Sequence, residues 1–235
     1  MSEITGNRFS ENEIKTLAEK FENAKPPEIL GWALDSFNPK ISLACSFGAE
    51  DVALVDMIAK IKKDANIFYL DTDLFFKETY EVKDRLIQKY GIKPTRYGAE
   101  ISLKDMAEKY GDNLWKKEPD TCCKIRKVEP LKKALSQLDA WITGVRRDQA
   151  PTRANTKVIE WDDKFNLVKV NPLVRWTSND VWNYIKKNDV PYNVLHDRNY
   201  PSVGCEPCTA SVKPGEDPRS GRWKGFEKTE CGLHK

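Results

Sequence analysis

From Ile41 to Thr143, short apolar runs alternate with longer amphipathic segments, and this alternation narrows the possible folds more than any other feature of the sequence. Ile41–Cys45, Ile67–Leu70, Pro94–Tyr97 and Ala140–Thr143 read as short strands, too brief for helices and rich in β-branched or aromatic residues. Between them the apolar spacing lengthens to that of helices over Asp51–Lys62, Lys77–Lys89, Leu103–Tyr110 and Pro130–Leu138, the last opening on a proline, which is favoured at a first helical position. Strands separated by helices require crossover connections. The expected fold class is therefore α/β, a doubly wound and mainly parallel sheet whose ligands bind beyond the carboxyl ends of the strands. Two helices are expected ahead of the sheet, at Glu11–Glu22 and Pro27–Phe37. Beyond Gly144, Val158–Trp161 and Leu167–Val170 are expected to pair as a hairpin, and Thr177 to cap a helix reaching Lys187. From Pro191 on, Pro, Gly and charged residues predict an irregular segment ending in a mobile tail.

A chain of 235 residues suits one domain, 1–235. Its α/β core is expected over about 40–210 and its flexible C-terminal segment over about 211–235. Hydrophobic residues at 40% and charged residues at 32% provide for a buried core and a solvated surface. A net charge of +3 does not point to nucleic acid. No apolar run approaches the roughly 20 residues of a membrane span, and the polar Met1–Ser10 lacks a signal-peptide core, so a cytoplasmic location is expected. Six cysteines in such a compartment are not a disulfide framework; clustered as they are, they point to metal or redox chemistry.

Four constellations carry that chemistry. Ser46-Phe47-Gly48-Ala49-Glu50-Asp51 lies between a strand and a helix, where Ser46, Gly48 and the helix N-terminus offer backbone N–H groups to an anion. Cys122-Cys123 together with Cys205-Glu206-Pro207-Cys208 supply four thiols; adjacent cysteines diverge around a single ion, a constraint that a cluster of several irons relaxes. A zinc site and unrelated free thiols remain the alternatives. A basic set follows: Lys124, Arg126 and Lys127 after the cysteine pair, Arg146 and Arg147 at a strand's carboxyl end, and Arg219, Arg222 and Lys224 in a polar loop, with arginine forks suited to phosphate and sulfate. Last comes Cys231, near Lys228, His234 and Lys235, whose charges favour a thiolate, and Glu230, whose charge opposes it. It follows Cys208 by 23 residues, a span of up to roughly 75–80 Å when extended, enough to close over a ligand. Cys45, inside an apolar strand, reads as a core residue.

Taken together these segments resemble the assimilatory sulfonucleotide reductases, and among them the bacterial adenylylsulfate (APS) reductases. The resemblance rests on Ser46–Asp51, Leu70-Asp71-Thr72, Cys122-Cys123 with Arg126-Lys127, and Gly144 with Arg146-Arg147-Asp148-Gln149. It rests further on Gly204-Cys205 with Cys208-Thr209, Arg219 with Gly221-Arg222-Trp223, and Glu230-Cys231-Gly232-Leu233-His234. It implies a sheet of the adenine-nucleotide α-hydrolase-like (PP-loop) type, with Phe47 where ATP-cleaving members carry glycine, a departure that disfavours an ATP-dependent ligase. It implies a 4Fe-4S cluster on Cys122, Cys123, Cys205 and Cys208, and Cys231 as nucleophile. It also implies adenylyl sulfate bound beside the loop, with Ser46, Gly48, Lys127, Arg146, Arg147, Arg219 and Arg222 as substrate-binding candidates. Thioredoxin is the implied electron donor in assimilatory sulfate reduction, and an S-sulfocysteine the implied intermediate. Asp71-Thr72-Asp73 departs from the family's more usual Asp-Thr-Gly. A 3′-phosphoadenylylsulfate (PAPS) or dual-substrate reductase is the alternative, and a non-catalytic cluster- or zinc-binding redox module a more distant one. The oligomeric state stays open, with a homo-oligomer among the options.

Overall fold

The computed structural model of the chain describes residues 9–228 and 230–233. Two helices lead: α1 (Glu11–Phe21), opened by Ser10 and Glu13 in a reciprocal capping box, and α2 (Pro26–Phe37), with proline in its first turn. The alternation then runs β1 (Ile41–Ala44), α3 (Ala49–Ile61), β2 (Ile67–Asp71), α4 (Lys77–Tyr90), β3 (Thr95–Gly98) and α5 (Leu103–Tyr110). Next come α6 (Leu114–Lys117), α7 (Pro119–Cys123), a π-helical turn over Lys124–Val128, and α8 (Glu129–Leu135). The chain continues with β4 (Ala140–Ile142), β5 (Ile159–Asp162), β6 (Leu167–Val170) and α9 (Ser178–Lys187), capped by Thr177.

The six strands form one sheet in the order β3-β2-β1-β4-β6-β5, parallel throughout except where β5 runs antiparallel to β6 as the expected hairpin. Strand order reverses between β1 and β4. In an open α/β sheet that reversal leaves a crevice at the carboxyl ends of the two strands, and the candidate site lies there. Buried Val52, Leu54, Val55 and Ile58 of α3 and Leu30, Ala33 and Leu34 of α2 belong to the same core cluster as Ile41 and Leu43 of β1, and so fix the crevice floor.

The elements expected from the sequence occur with shifted ends, and one expectation is corrected. No helix starts afresh at Pro130. Helical backbone runs from Pro119 to Leu135, and Pro130 lies just past the π turn, in which the Glu129 N–H reaches the Lys124 carbonyl five residues back. Proline has no N–H for the ladder, and the wide turn beside it absorbs the missing donor. The segment after Pro191 is less irregular than expected. It contains 3-10 turns at Val194–Arg198 and Glu206–Cys208, and bridges from Phe75 to Cys205 and from Thr209 to Arg222.

Candidate active site

A cleft of about 730 Å³ opens at the reversal of strand order. It brings together Ser46, Gly48, Lys127, Arg146, Arg219, Arg222 and Cys231, from five separate stretches of chain. Arg147 is not among them. Its guanidinium forks onto Glu22 (2.6 and 3.0 Å) and donates to the Thr156 carbonyl, bracing α1 against the loop after β4. Arg146 and Arg147 are neighbours, and the extended backbone at Arg146 sends successive side chains to opposite sides, so one reaches the cleft and the other does not.

The turn after β1 is built around Asp51. Its carboxylate accepts from both the N–H and the hydroxyl of Ser46, each at 2.6 Å. Burial pushes the Asp51 carboxyl up to about 6, while these two Ser46 bonds pull the other way. Gly144 at the end of β4 packs flat on this turn, and a Cβ there would collide with the Asp51 carboxylate. Arg146 closes the other side, bonded to Glu50 at 2.9 Å and to Asp148. Phe47 takes a positive φ of 61° with its ring buried against Tyr69 (centroids 5.4 Å apart), a backbone state that glycine adopts without strain.

A second pocket adjoins the first. Cys122, Cys123, Cys205 and Cys208 line its wall with Trp115, Arg126, Lys127 and Trp223. The C-x-x-C turn closes on itself through Cys208 N–H to the Cys205 carbonyl (3.0 Å) and is tied to the end of β2 by Glu206 N–H to the Leu74 carbonyl (2.7 Å) and the Thr72 hydroxyl at 3.3 Å from Cys205 Sγ. Asp73, at a positive φ of 56°, holds Arg96 and the buried Arg126 with its carboxylate, which gives the departure from Asp-Thr-Gly a structural use. Burial pushes the Cys122 thiol up to about 12 and the Cys208 thiol up to about 11, reinforced by neighbouring thiols, and burial raises Cys123 as well. Among the described residues no three Cys, His, Asp or Glu side chains are disposed to hold a single metal ion. Four soft donors facing one pocket fit as the ligands of a multi-iron cluster.

Lys127 and Trp223 line both cavities. Burial works against the Lys127 ammonium, but Cys205, Cys231 and Cys123 outweigh it and hold its pKa above the ordinary lysine value. Arg219 and Arg222 approach the face of Trp223, at 5.9 and 4.6 Å from its centroid. Burial depresses the Arg219 pKa, against the pull of Glu230. Gly204 makes room for Arg222, whose guanidinium a Cβ there would strike.

The C-terminal tail lies in the cleft. Cys231 is half-buried on its wall, and Leu233 packs against the cluster of Phe68, Leu131 and Trp141. Glu230, expected only to oppose a thiolate, is buried at 4% exposure and held by Arg153 and Arg219. Sequence reasoning missed Arg153; its one signal was a position five residues beyond Asp148, in the loop after a parallel strand. His234 and Lys235, expected to favour a thiolate, lie outside the described residues.

A family model described as the phosphoadenosine phosphosulfate reductase domain matches residues 40–211. An adenosine 5′-phosphosulfate reductase of Staphylococcus haemolyticus is 51% identical over 208 residues, covering 88% of this chain and 86% of the relative. Adenosine 5′-phosphosulfate reductase 1 of Bacillus subtilis is 50% identical over 207 residues, covering 88% and 89%. Among solved structures, a phosphoadenylyl-sulfate (PAPS) reductase from Candida auris in a phosphate complex superposes with a TM-score of 0.77 at 31% identity, covering 87% of this chain and 98% of that one. An FMN adenylyltransferase of Candida glabrata shares the fold alone, at a TM-score of 0.59 and 14% identity over 97% of this chain and 82% of that one. No helix of the described residues is long and apolar enough to cross a membrane.

Proposed function

This chain belongs to the phosphoadenosine phosphosulfate reductase family, and on that footing we propose that it reduces adenylyl sulfate to sulfite and AMP in assimilatory sulfate reduction. The observation that carries this reading is the convergence of Cys231, Lys127, Arg219 and Arg222 on the cleft at the β1/β4 reversal, beside a turn suited to a nucleotide phosphate. We read the whole chain as one reductase unit in the cytoplasm: an α/β core over about 40–210, then a C-terminal segment that carries the nucleophile.

The Cys231 thiolate attacks the sulfur of the sulfate group. An S–S bond forms, the bond from sulfur to the bridging oxygen breaks, and AMP leaves with that oxygen and its electron pair. The product on the enzyme is an S-sulfocysteine. Attack on an anion needs cations around it, and Lys127, Arg219 and Arg222 supply them. Arg146, already engaged by Glu50 and Asp148, braces the phosphate turn from the cleft side. A thioredoxin thiolate then attacks the Cys231 sulfur, sulfite departs, and the donor's second thiol resolves the mixed disulfide, so both electrons come from the dithiol. Cys122, Cys123, Cys205 and Cys208 would hold a 4Fe-4S cluster, which when bound supplies a fixed, polarisable anionic centre behind Lys127.

Charge reversal of Arg219 or Arg222 is expected to lower kcat/KM by at least ~10²-fold, the scale of losing one transition-state electrostatic contact. Iron content should stay intact. Near-normal kinetics in both variants would remove these arginines from the substrate-binding set.

The reading as a whole is tested by steady-state kinetics on both nucleotides. Adenylyl sulfate is expected to be preferred over PAPS, since relatives about half identical to this chain are named for it. Comparable efficiency on the two would move the assignment to a dual-specificity reductase. The Candida auris similarity keeps that second reading in view.

A further inference from the structure

Glu230 is the residue immediately before the proposed nucleophile, and its carboxylate is one of few buried charges in the C-terminal segment. It bridges two guanidinium groups that come from different parts of the chain. Arg153, from the 3-10 turn Pro151–Arg153, grips it with both arms of the fork: Nε to Oε1 at 2.9 Å and Nη2 to Oε2 at 2.9 Å. Arg219 touches it once and more loosely, Nη2 to Oε2 at 3.3 Å. The Arg153 side chain is itself only 11% exposed. A bidentate, desolvated pair of this kind is directional as well as strong. The single, longer contact is the one that gives way first.

Among the described residues, other holds on the tail are of different kinds. Lys228 pairs with Asp120, the Lys164 ammonium donates to the Gly232 carbonyl, and Leu233 packs on an apolar patch. Gly232, at a positive φ of 83°, lets the chain turn directly after the cysteine. None of these holds sets the direction in which the residue before Cys231 enters the cleft. The Arg153 fork does.

We propose that Glu230 is a positioning residue and Arg153 its anchor: the buried Arg153–Glu230 pair seats Cys231 in the cleft, while Arg219 is shared between Glu230 and the sulfate. This rests on the reading of Cys231 as the nucleophile. Arrival of a sulfate draws Arg219 away from its one bond to Glu230, and Arg153 keeps Glu230 in place while that happens. Sulfate binding and tail closure are thereby coupled through Arg219, without loss of the geometry that attack on sulfur requires.

The test reads the tail without needing turnover. In the folded holoenzyme without nucleotide, the rate of iodoacetamide labelling at Cys231 is followed by mass spectrometry of the C-terminal peptide, with the buried Cys45 as internal control. Glu230→Gln and Arg153→Met should each raise that rate at least about tenfold, because each breaks the bidentate pair that seats the tail. The double variant should rise no further than either single one, to within about twofold, since both changes break the same pair. Glu230→Asp should fall between wild type and Glu230→Gln. In turnover, Glu230→Gln should lose at least about tenfold in kcat with KM for adenylyl sulfate changed less than about threefold, the signature of misplaced geometry with the nucleotide site intact. Unchanged labelling in either folded single variant, or an additive double variant, would overturn the proposal. If one variant fails to fold, the other decides alone. Failure of the nucleophile reading appears elsewhere, as sulfite production by Cys231→Ser, and leaves the labelling result untouched.

Discussion

Replacing Cys231 with serine is expected to abolish sulfite release while iron content and nucleotide binding persist. A serine hydroxyl is hardly ionised at neutral pH, whereas a thiol is appreciably so, and only the ionised form attacks sulfur. Wild-type protein mixed with adenylyl sulfate and no thioredoxin should accumulate one added SO3 on the peptide that holds Cys231. A thiosulfonate persists until another thiolate arrives, so the adduct should survive gentle digestion, and reduced thioredoxin should discharge it as sulfite. Cys45 is the rival thiol, since it also lines the cleft. It is a poor one. Burial pushes its pKa well above the usual thiol range, and the neighbouring Asp51 carboxylate pushes it further. An SO3 adduct on Cys45, or sulfite from Cys231→Ser at the wild-type rate, would overturn the assignment.

Serine at any of Cys122, Cys123, Cys205 or Cys208 should strip the protein of iron and of its broad visible absorption, and reduce activity severely. Each thiol faces the same pocket, so each variant removes one ligand and leaves a hydroxyl that binds iron weakly. The measurement is iron content and the absorption spectrum of anaerobically purified protein. A colourless wild-type protein containing zinc would replace the cluster with a different metal. Full iron content in Cys123→Ser would remove that residue from the ligand set.

The parallel sheet and its flanking helices were legible because they depend on local period: apolar runs such as Ile41–Cys45 for strands, and wider spacing for α3 and α4. The cysteine quartet and Cys231 were legible because thiols are scarce and chemically distinctive. What escaped depends on contacts made across long stretches of chain. The Arg153–Glu230 pair spans 77 positions, and neither residue sits in a periodic segment that would show which way it faces. Arg146 and Arg147 look alike as a sequence, yet their opposite destinations follow from one extended backbone step. The π turn at Lys124–Val128 leaves no compositional trace except the proline that follows it.

That Lys127 forms part of the wall between two cavities makes it a counter-ion with two claimants. Negative charge gathered on the thiol side holds the ammonium there; negative charge arriving in the cleft draws it the other way. Under the proposed function such linkage would be reciprocal: a nucleotide engaging Lys127 would loosen its hold on the cysteine side by the same free energy that a filled cysteine site would withhold from the nucleotide. The two sites would then be rivals for one cation, and Lys127→Ala would weaken both while releasing each from the other.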